Sequence, residues 1–232
     1  MFNGKMKAVT FSYDDGVTQD QRLIEILDKY GLKCTFNINS GRFGLPGHIY
    51  VDGKFAAHAK PPAEELPEIY VNHEVAVHTI NHPTLTELSE EEIIYEVEED
   101  RKILSKIMGY DVVGMAYPNG PNDDRVAEII RNRTGVRYSR TTKSTYNFDL
   151  QDNLLRFNPT IRHGEMDKLF ELGREFIDLK PDSPKIFYIW GHAYEFDAQR
   201  NWAKFEEFCK LISGRDDIFY GTNTEVLLAE HK

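Results

Sequence analysis

The chain has 232 residues, of which 28 are Lys or Arg and 38 are Asp or Glu, giving a formal net charge of −10. This acidic balance argues against nucleic acid and anionic membrane surfaces as partners, because both bind through clusters of Lys and Arg. The sequence contains no run near the roughly 20 apolar residues of a membrane span, and its start lacks the apolar segment of a secretory signal. We therefore expect one cytoplasmic domain over residues 1–232, and we make no prediction of its oligomeric state.

Segments typical of strands and helices alternate along the chain. The predicted strands cover residues 7–13, 33–39, 74–78, 112–117, 135–139, 185–190 and 218–220, and the predicted helices cover 18–30, 89–108, 123–133, 165–179, 202–213 and 225–231. Other predicted features are a hairpin turn at 51–54, a short helix at 63–70, and an irregular stretch at 141–164 with one strand at 154–157. Ser89 and Glu92 form a capping box, which makes 89–108 the clearest helix.

About seven β-then-α units in one domain predict an α/β fold in which helices lie outside a parallel sheet. Periodicity does not distinguish a closed or nearly closed barrel from an open doubly wound sheet. In either fold, functional residues are expected on the loops that follow the strands. Cys34 and Cys209 lie far apart and match no metal-binding spacing, so we expect two buried free thiols.

Two adjacent carboxylates, Asp14 and Asp15, follow the first predicted strand. They repel each other unless a cation stabilises them. A divalent metal does so, and a carboxylate beside the metal can act as a base. The alternative is an ordinary turn, since Asp-Asp-Gly is favourable turn chemistry.

A histidine pair, His78 and His82, follows the third predicted strand. Two imidazoles at this spacing can share one metal ion, although Pro83 disfavours a helical backbone at His82 and so predicts a shaped loop. With one carboxylate they would form a set that leaves positions open for water and substrate, as Zn²⁺, Ni²⁺, Co²⁺ or Fe²⁺ accepts. The alternative is a hydrogen-bonded pair near the core.

His192 follows a buried apolar strand, and Trp190 and Tyr194 beside it are expected to wall a substrate pocket. A histidine there suits a general acid, because its pKa lies near working pH. The alternative is a partly buried structural histidine. Of the other histidines, one is predicted to lie in the pocket and three are predicted to be loop or tail residues: His163 in the pocket, and His48, His58 and His231 in loops or the tail.

Together these loops resemble the polysaccharide deacetylase family, the chitooligosaccharide deacetylase-like or NodB-homology domain, from about residue 7 to residue 196. Residues 10–16 (Thr-Phe-Ser-Tyr-Asp-Asp-Gly) are similar to its Thr-Phe-Asp-Asp-Gly motif, residues 78–83 to its His-Ser/Thr-x-x-His-Pro motif, and residues 190–192 to its late general-acid motif. The resemblance implies a distorted, incomplete (β/α) barrel. It also assigns the site residues: Asp14 as catalytic base, His192 as general acid, and Asp15, His78 and His82 as metal ligands.

The resemblance further implies a metal-dependent hydrolase that removes acetyl groups from N-acetylated sugars or polysaccharide, breaking a non-peptide carbon–nitrogen bond. Asp14 would activate the attacking water, the N–H of Asn119 would hold the oxyanion, and His192 would protonate the leaving amine. The cofactor would be one divalent ion, with Zn²⁺ first and Co²⁺, Ni²⁺ or Fe²⁺ as the others. The alternatives are an O-acetyl esterase, a small-amide or cyclic-imide hydrolase, and a non-catalytic carbohydrate-binding protein.

Two segments depart from the family pattern. Residues 116–120 read Ala-Tyr-Pro-Asn-Gly where the family has Arg-Pro-Pro-Tyr-Gly, so the arginine that braces the base has no counterpart there. Arg140 and Arg162 are the candidates to replace it. The family's Asp-plus-Trp motif has no match near 137–150, and Glu195 has no assigned role. The residues predicted to contact substrate or oxyanion are Tyr117, Asn119, Arg140, His163, Trp190 and Tyr194.

Overall fold

Strands and helices alternate along the chain in a computed structural model, which describes residues 1–229. The strands are β1 Lys7–Asp14, β2 Cys34–Ile38, β3 His48–Val51, β4 Lys54–Ala57, β5 Glu74–Val77, β6 Gly114–Ala116, β7 Tyr138–Arg140, β8 Ile161–Arg162, β9 Lys185–Gly191 and β10 Ile218–Tyr220. The α-helices are α1 Asp20–Lys29, α2 Leu66–Ile69, α3 Glu90–Ile94, α4 Asp100–Met108, α5 Asp124–Arg133, α6 Met166–Asp178, α7 Tyr194–Gln199, α8 Trp202–Ile212 and α9 Asn223–Leu227.

The main sheet is parallel and runs in the order β7-β6-β5-β2-β1-β9-β8. One edge of β1 pairs with β9, whereas β10 and β2 share its other edge, β10 beside residues 7–9 and β2 beside residues 11–14. This shared edge interrupts the regular succession of strands, and no pairing within residues 1–229 joins β7 to β8. The predicted distorted, incomplete (β/α) barrel is therefore confirmed, as a curled sheet that stays open.

The core supports the ends of the central strands. Every residue of β1, β2 and β5 is buried, as expected of parallel strands that are covered on both faces. The rings of Tyr13, Phe196 and Phe205 pack together, with centroids 4.6 to 6.2 Å apart. Cys34 and Cys209 are buried and free, as predicted. No helix in the described part of the chain has the length and apolarity needed to cross a bilayer.

The hairpin prediction is confirmed by the antiparallel pair β3 and β4, an excursion outside the main sheet. Its turn residues Asp52 and Gly53 both have positive φ, of 50° and 74°, as a two-residue turn of the favoured twist requires. The long helix predicted at 89–108 begins at the expected capping box but is divided by a π-helical turn, Tyr95–Glu99. Two acidic side chains, Glu96 within this turn and Asp100 directly after it, are buried and bond to the loop after β5.

Three sequence predictions differ from the structure. The strand predicted at 154–157 is wrong: Leu154–Arg156 form a 3₁₀ turn, in which the Asn153 carbonyl accepts from the Arg156 N–H. The strand in this irregular stretch is β8 instead, whose two residues are too few to show an alternating pattern. The last helix begins at Asn223, because Thr222 forms a capping box there, and the predicted end at His231 lies outside the described residues.

Candidate active site

A cleft of about 680 Å³ opens where the central strands end. Asp14 is the last residue of β1, His78 directly follows β5, and His192 directly follows β9. Parallel strands have their carboxyl ends on the same side of a sheet. Here Tyr13 pairs with Gly191, so β1 and β9 end at the same level. The candidate residues on these three strands therefore lie around one cavity, as the sequence predicted.

Asp15, His78 and His82 present a compact set of three ligand atoms. Asp15 Oδ1 lies 3.6 Å from His78 Nε2 and 3.5 Å from His82 Nε2. A four-coordinate ion with bonds of about 2.0–2.2 Å separates its ligand atoms by roughly 3.3 to 3.6 Å. The spacing of this cluster, the one such group found among the described residues, therefore fits a small divalent metal.

The protonation of these side chains also fits a cation. His78 Nδ1 lies 2.9 Å from the Ala116 carbonyl, and a carbonyl only accepts, so this nitrogen carries the proton. Burial lowers the pKa of His78 and lowers that of His82 to about 4, so both rings are neutral at pH 7. Nε2 of His78 then turns a lone pair towards a carboxylate oxygen. A shared metal ion converts this repulsion into coordination.

Four non-glycine residues around the cluster have left-handed backbone conformations, which is uncommon away from functional sites. They are Asp15 (φ 81°), Thr79 (φ 67°), His82 (φ 63°) and Asn119 (φ 60°). The Thr79 hydroxyl accepts from the His82 N–H at 3.0 Å and so closes the loop between the two histidines. This loop is the shaped, non-helical segment predicted from Pro83.

Buried carboxylates behind the loop hold it in place. Asp100 accepts from the backbone N–H of His78 at 3.1 Å and of Ser40 at 2.8 Å. Glu96 accepts from the backbone and the side-chain amide of Asn81, both at 2.8 Å. The π-helical turn and the residue after it thus place two acids under this loop, a role that no sequence pattern indicated.

Asp14 is paired with a buried arginine. The Arg140 guanidinium donates to both carboxylate oxygens, at 2.5 Å to Oδ1, and Asn37 Nδ2 adds a bond of 2.8 Å. Burial opposes ionisation of Asp14, but the charges of Arg140, His78 and His192 outweigh it, so the pKa of Asp14 lies below its usual value. Asp14 is therefore a carboxylate at neutral pH, as a base must be.

Arg140 takes the place of the arginine that is missing from residues 116–120. It is fully buried, so the prediction that it contacts substrate is wrong; it braces Asp14 instead. In the pairing of β6 with β7, Arg140 lies opposite Ala116, the position where the family motif has its arginine. The guanidinium therefore comes from the strand beside the motif position and reaches Asp14 from there. Its carbon lies 4.5 Å from the centre of the Trp190 ring, which covers it.

His192 is held by a carboxylate three residues later in the chain. Glu195 lies in the first turn of α7 and accepts from His192 Nδ1 at 2.7 Å, so the free Nε2 points towards Asp14, 3.9 Å away. Burial disfavours the imidazolium, but the hydrogen bond and charge of Glu195 outweigh it and raise the pKa of His192. The histidine therefore stays protonated to higher pH, as a proton donor requires.

Glu195→Gln is expected to lower kcat and to move the alkaline limb of the kcat/KM profile to lower pH. Without the carboxylate the imidazolium loses its stabilisation, so the pKa of His192 falls and the acid form is lost earlier. We expect a loss of at least about tenfold, out of the 10²–10⁴ that a positioned proton donor contributes. Asp197→Asn is the matched control, because Asp197 lies on the same helix and accepts from Trp202 instead. An alkaline limb that moves equally in both variants would contradict this role.

His163 does not line the cleft. It is fully buried, with Nδ1 2.9 Å from the Tyr13 hydroxyl and Nε2 3.0 Å from Glu195. The prediction that it lines the pocket is therefore wrong; its ring packs behind Glu195. Arg162, the other candidate brace for Asp14, lines the cleft but pairs with Glu195.

The remaining predicted contact residues do line the cleft: Tyr117, Asn119, Trp190 and Tyr194. The side-chain amide of Asn119 donates to Thr84 Oγ1 at 3.1 Å, and no acceptor within residues 1–229 takes its backbone N–H. The Tyr194 ring lies 5.0 Å from that of His192, and the Tyr117 hydroxyl is turned away to the Leu155 carbonyl.

Two cleft residues that contact Asp15 were missed by the sequence analysis. His58, predicted as a loop residue, places Nε2 3.0 Å from Asp15 Oδ2. Lys60 donates from Nζ to the Asp15 carbonyl at 2.5 Å. Burial opposes ionisation of Asp15, but the hydrogen bond from His58 and the charges of His192 and Lys60 hold its pKa well below the usual value.

Several known proteins are similar to this chain in sequence or in fold. A sequence profile described as "Polysaccharide deacetylase" matches residues 3–139. Chitin deacetylase 1 of Cryptococcus neoformans var. grubii is 30% identical over 146 residues, covering 61% of this chain but only 28% of that protein. A putative polysaccharide deacetylase from Mycobacterium smegmatis has a TM-score of 0.68 at 16% identity, covering 97% of this chain and 90% of its own.

A family 4 carbohydrate esterase from Streptomyces lividans, solved in complex with acetate, has a TM-score of 0.57 at 14% identity, over 94% of this chain and 92% of its own. At such low identity the two solved structures establish the fold. The profile covers more than half of the sequence and includes both the aspartate pair and the histidine pair. The chain therefore belongs to the polysaccharide deacetylase family.

Proposed function

We propose that this chain is a metal-dependent hydrolase that removes acetyl groups from N-acetylated sugars or polysaccharide. One observation carries the proposal: a metal-type cluster of Asp15, His78 and His82 lies beside two proton-transfer groups, Asp14 and His192, which face each other at 3.9 Å. A base and an acid across one cleft are what hydrolysis of an amide needs, since the water must lose a proton and the leaving nitrogen must gain one.

Asp15, His78 and His82 would hold the ion. When bound, a divalent metal lowers the pKa of a water molecule and polarises an acyl oxygen. Their two neutral imidazoles and one carboxylate suit Zn²⁺ first, and Co²⁺, Ni²⁺ or Fe²⁺ as well.

Asp14 takes a proton from the attacking water, since its carboxylate is kept ionised by Arg140. Carbon–oxygen bond formation places negative charge on the acyl oxygen. The backbone N–H of Asn119, which has no acceptor among residues 1–229, is the donor we assign to it. His192, held by Glu195, gives its proton from Nε2 to the nitrogen as the carbon–nitrogen bond breaks. The products are acetic acid, which ionises to acetate, and a free amine. The one proton that Asp14 takes equals the one that His192 gives, so atoms and protons balance without a covalent enzyme intermediate.

The cleft suits a sugar as the carrier of the acetyl group. Trp190 and Tyr194 supply aromatic surface, and Arg42, Asn39 and Thr142 supply polar groups on the other walls. A cleft of mixed aromatic and polar lining fits a ligand with an apolar ring face and many hydroxyl groups. We propose a carbohydrate partner on this ground; the cytoplasmic location stays a prediction.

The test is acetate release from N-acetylated monosaccharides and chitooligosaccharides, by the chelated protein and after reloading with Zn²⁺, Co²⁺ or Ni²⁺. Release that appears only with metal supports the proposal, and the preferred chain length identifies the substrate. Full activity in chelator would overturn the metal dependence. An O-acetylated sugar in the same panel distinguishes the esterase alternative, which depends less on His192, because an alkoxide is a better leaving group than the amide anion that would form if the nitrogen gained no proton.

A further inference from the structure

His58 reaches the metal-ligand cluster from outside the βα repeat. It follows β4 of the hairpin, and its Nε2 lies 3.0 Å from Asp15 Oδ2. The other oxygen of the same carboxylate, Oδ1, is the one that faces His78 and His82. The two oxygens of Asp15 therefore have separate partners, one on the cluster side and one on the hairpin side.

The hairpin is built to deliver this side chain. Its ladder continues past the two strands: the His58 N–H donates to the Gly47 carbonyl at 2.8 Å, and the Lys60 N–H donates to the Leu45 carbonyl at 2.9 Å. Side chains alternate along an extended chain, so Ala56, His58 and Lys60 share the inward face. A Cβ on Gly47 would lie 2.9 Å from the His58 carbonyl oxygen, so the opposite arm needs glycine there.

Lys60 fixes the backbone of the same aspartate. Its Nζ donates to the Asp15 carbonyl at 2.5 Å and also lies 3.4 Å from His58 Nε2. Asp15 needs such support, because its φ of 81° is strained for a residue with a side chain. A bond from the Thr18 N–H to the Ala59 carbonyl, at 2.9 Å, ties the hairpin to the loop after β1.

The ring of His58 is itself held in place. The Tyr194 ring packs against it in a T-shaped arrangement, with ring centroids 5.0 Å apart and an interplanar angle of 81°. Nε2 must donate to Asp15, because a carboxylate only accepts. The histidine is thus an oriented donor whose partner is the outer oxygen of a metal ligand. Hydrogen bonds of this kind orient ligands, and their loss typically weakens metal binding by about 10- to 100-fold.

We propose that His58 is a positioning residue for the metal ligand Asp15, and that Lys60 assists it by holding the Asp15 backbone. Because His58 occupies Oδ2, Asp15 offers a single oxygen to the ion and leaves other positions open for water and substrate. The proposal rests on the metal site proposed above and is independent of which acyl group the enzyme removes.

The test measures the Zn²⁺ affinity of the metal-stripped 232-residue chain by competition with a chromogenic chelator, without substrate. His58→Ala is expected to raise the Zn²⁺ dissociation constant by about 10- to 100-fold. His58→Gln, whose amide is a donor of similar reach, should recover part of that loss. His48→Ala is the matched control, because His48 lies on the exposed face of the same hairpin and stacks on Phe55. Its dissociation constant should stay within about twofold of the wild-type value.

A second readout separates a positioning residue from a ligand. The visible spectrum of the Co²⁺-loaded protein reports the ligand set, so its shape should be the same in His58→Ala and wild type once saturated. His82→Ala should change that shape. An unchanged Zn²⁺ dissociation constant in His58→Ala, or a Co²⁺ spectrum altered as in His82→Ala, would overturn the proposal. A protein that binds Zn²⁺ as expected yet releases no acetate would contradict the proposed function and leave this inference intact.

Discussion

Asp14→Asn is expected to lower acetate release by about 10²- to 10⁴-fold, the range that a positioned base contributes, without loss of metal. An amide cannot take the proton of the attacking water, whereas Asp15, His78 and His82 remain in place to hold the ion. The loss should persist at every pH, because no protonation change restores a base. Metal content per protein and acetate release, measured on the same preparation, check both halves of this prediction.

Arg140→Met gives the companion result, since it keeps the carboxylate and removes its brace. Without the guanidinium the pKa of Asp14 rises, so the acid limb of the kcat/KM profile should move to higher pH. Activity should then be partly recovered as the pH is raised, unlike that of Asp14→Asn. Normal activity of Asp14→Asn would place the base elsewhere, and an unmoved acid limb in Arg140→Met would show that Arg140 does not tune it.

The buried ion pair of Asp14 and Arg140 also contributes to folding stability in a pH-dependent way. The folded pKa of Asp14 is lower than its unfolded value, so the stabilisation is present above the unfolded pKa and is lost as the pH falls through the folded pKa. Removing one partner of a buried pair costs about 3–5 kcal/mol. Urea unfolding of Arg140→Met and wild type should therefore differ most near neutral pH and converge in acid.

The placement of the candidate residues at the strand ends was predictable from sequence. The aspartate pair, the histidine pair and His192 each follow a run of buried residues, and parallel strands bring such positions to one edge. A residue directly after a strand needs no knowledge of distant contacts to be placed there. The fold class followed from the same alternation of strands and helices.

The supporting residues were not predictable, because each depends on packing between distant segments. His58 meets Asp15 across 43 positions of sequence, from a hairpin that belongs to no βα unit. Arg140 was one of two candidate braces, and only the register of β6 with β7 shows that it stands beside the vacant motif position. Glu195 is different: its spacing of three from His192 was visible, but the helix that brings them together was not predicted.

His78→Ala is expected to weaken Zn²⁺ binding by about 10²- to 10³-fold and to abolish acetate release at micromolar metal. Structural zinc sites bind with about 10–16 kcal/mol, or roughly 2.5–4 kcal/mol for each of four ligands, and each 1.4 kcal/mol is tenfold. Asp15→Ala and His82→Ala should have losses of similar size. The loss of Zn²⁺ affinity should be larger in His78→Ala than in His58→Ala, because the first removes a proposed ligand and the second removes only a hydrogen bond to one.

Thermal unfolding gives a readout of these ligand variants that needs no substrate. A metal that binds only the folded state raises the melting temperature by mass action, so wild type should gain stability on addition of Zn²⁺. His78→Ala should gain little at the same concentration, while His48→Ala, which alters an exposed histidine of the hairpin, should gain as much as wild type. If all three proteins gained equally, the ion would bind elsewhere, and the Asp15, His78 and His82 cluster would have to be explained as a structural hydrogen-bonded group.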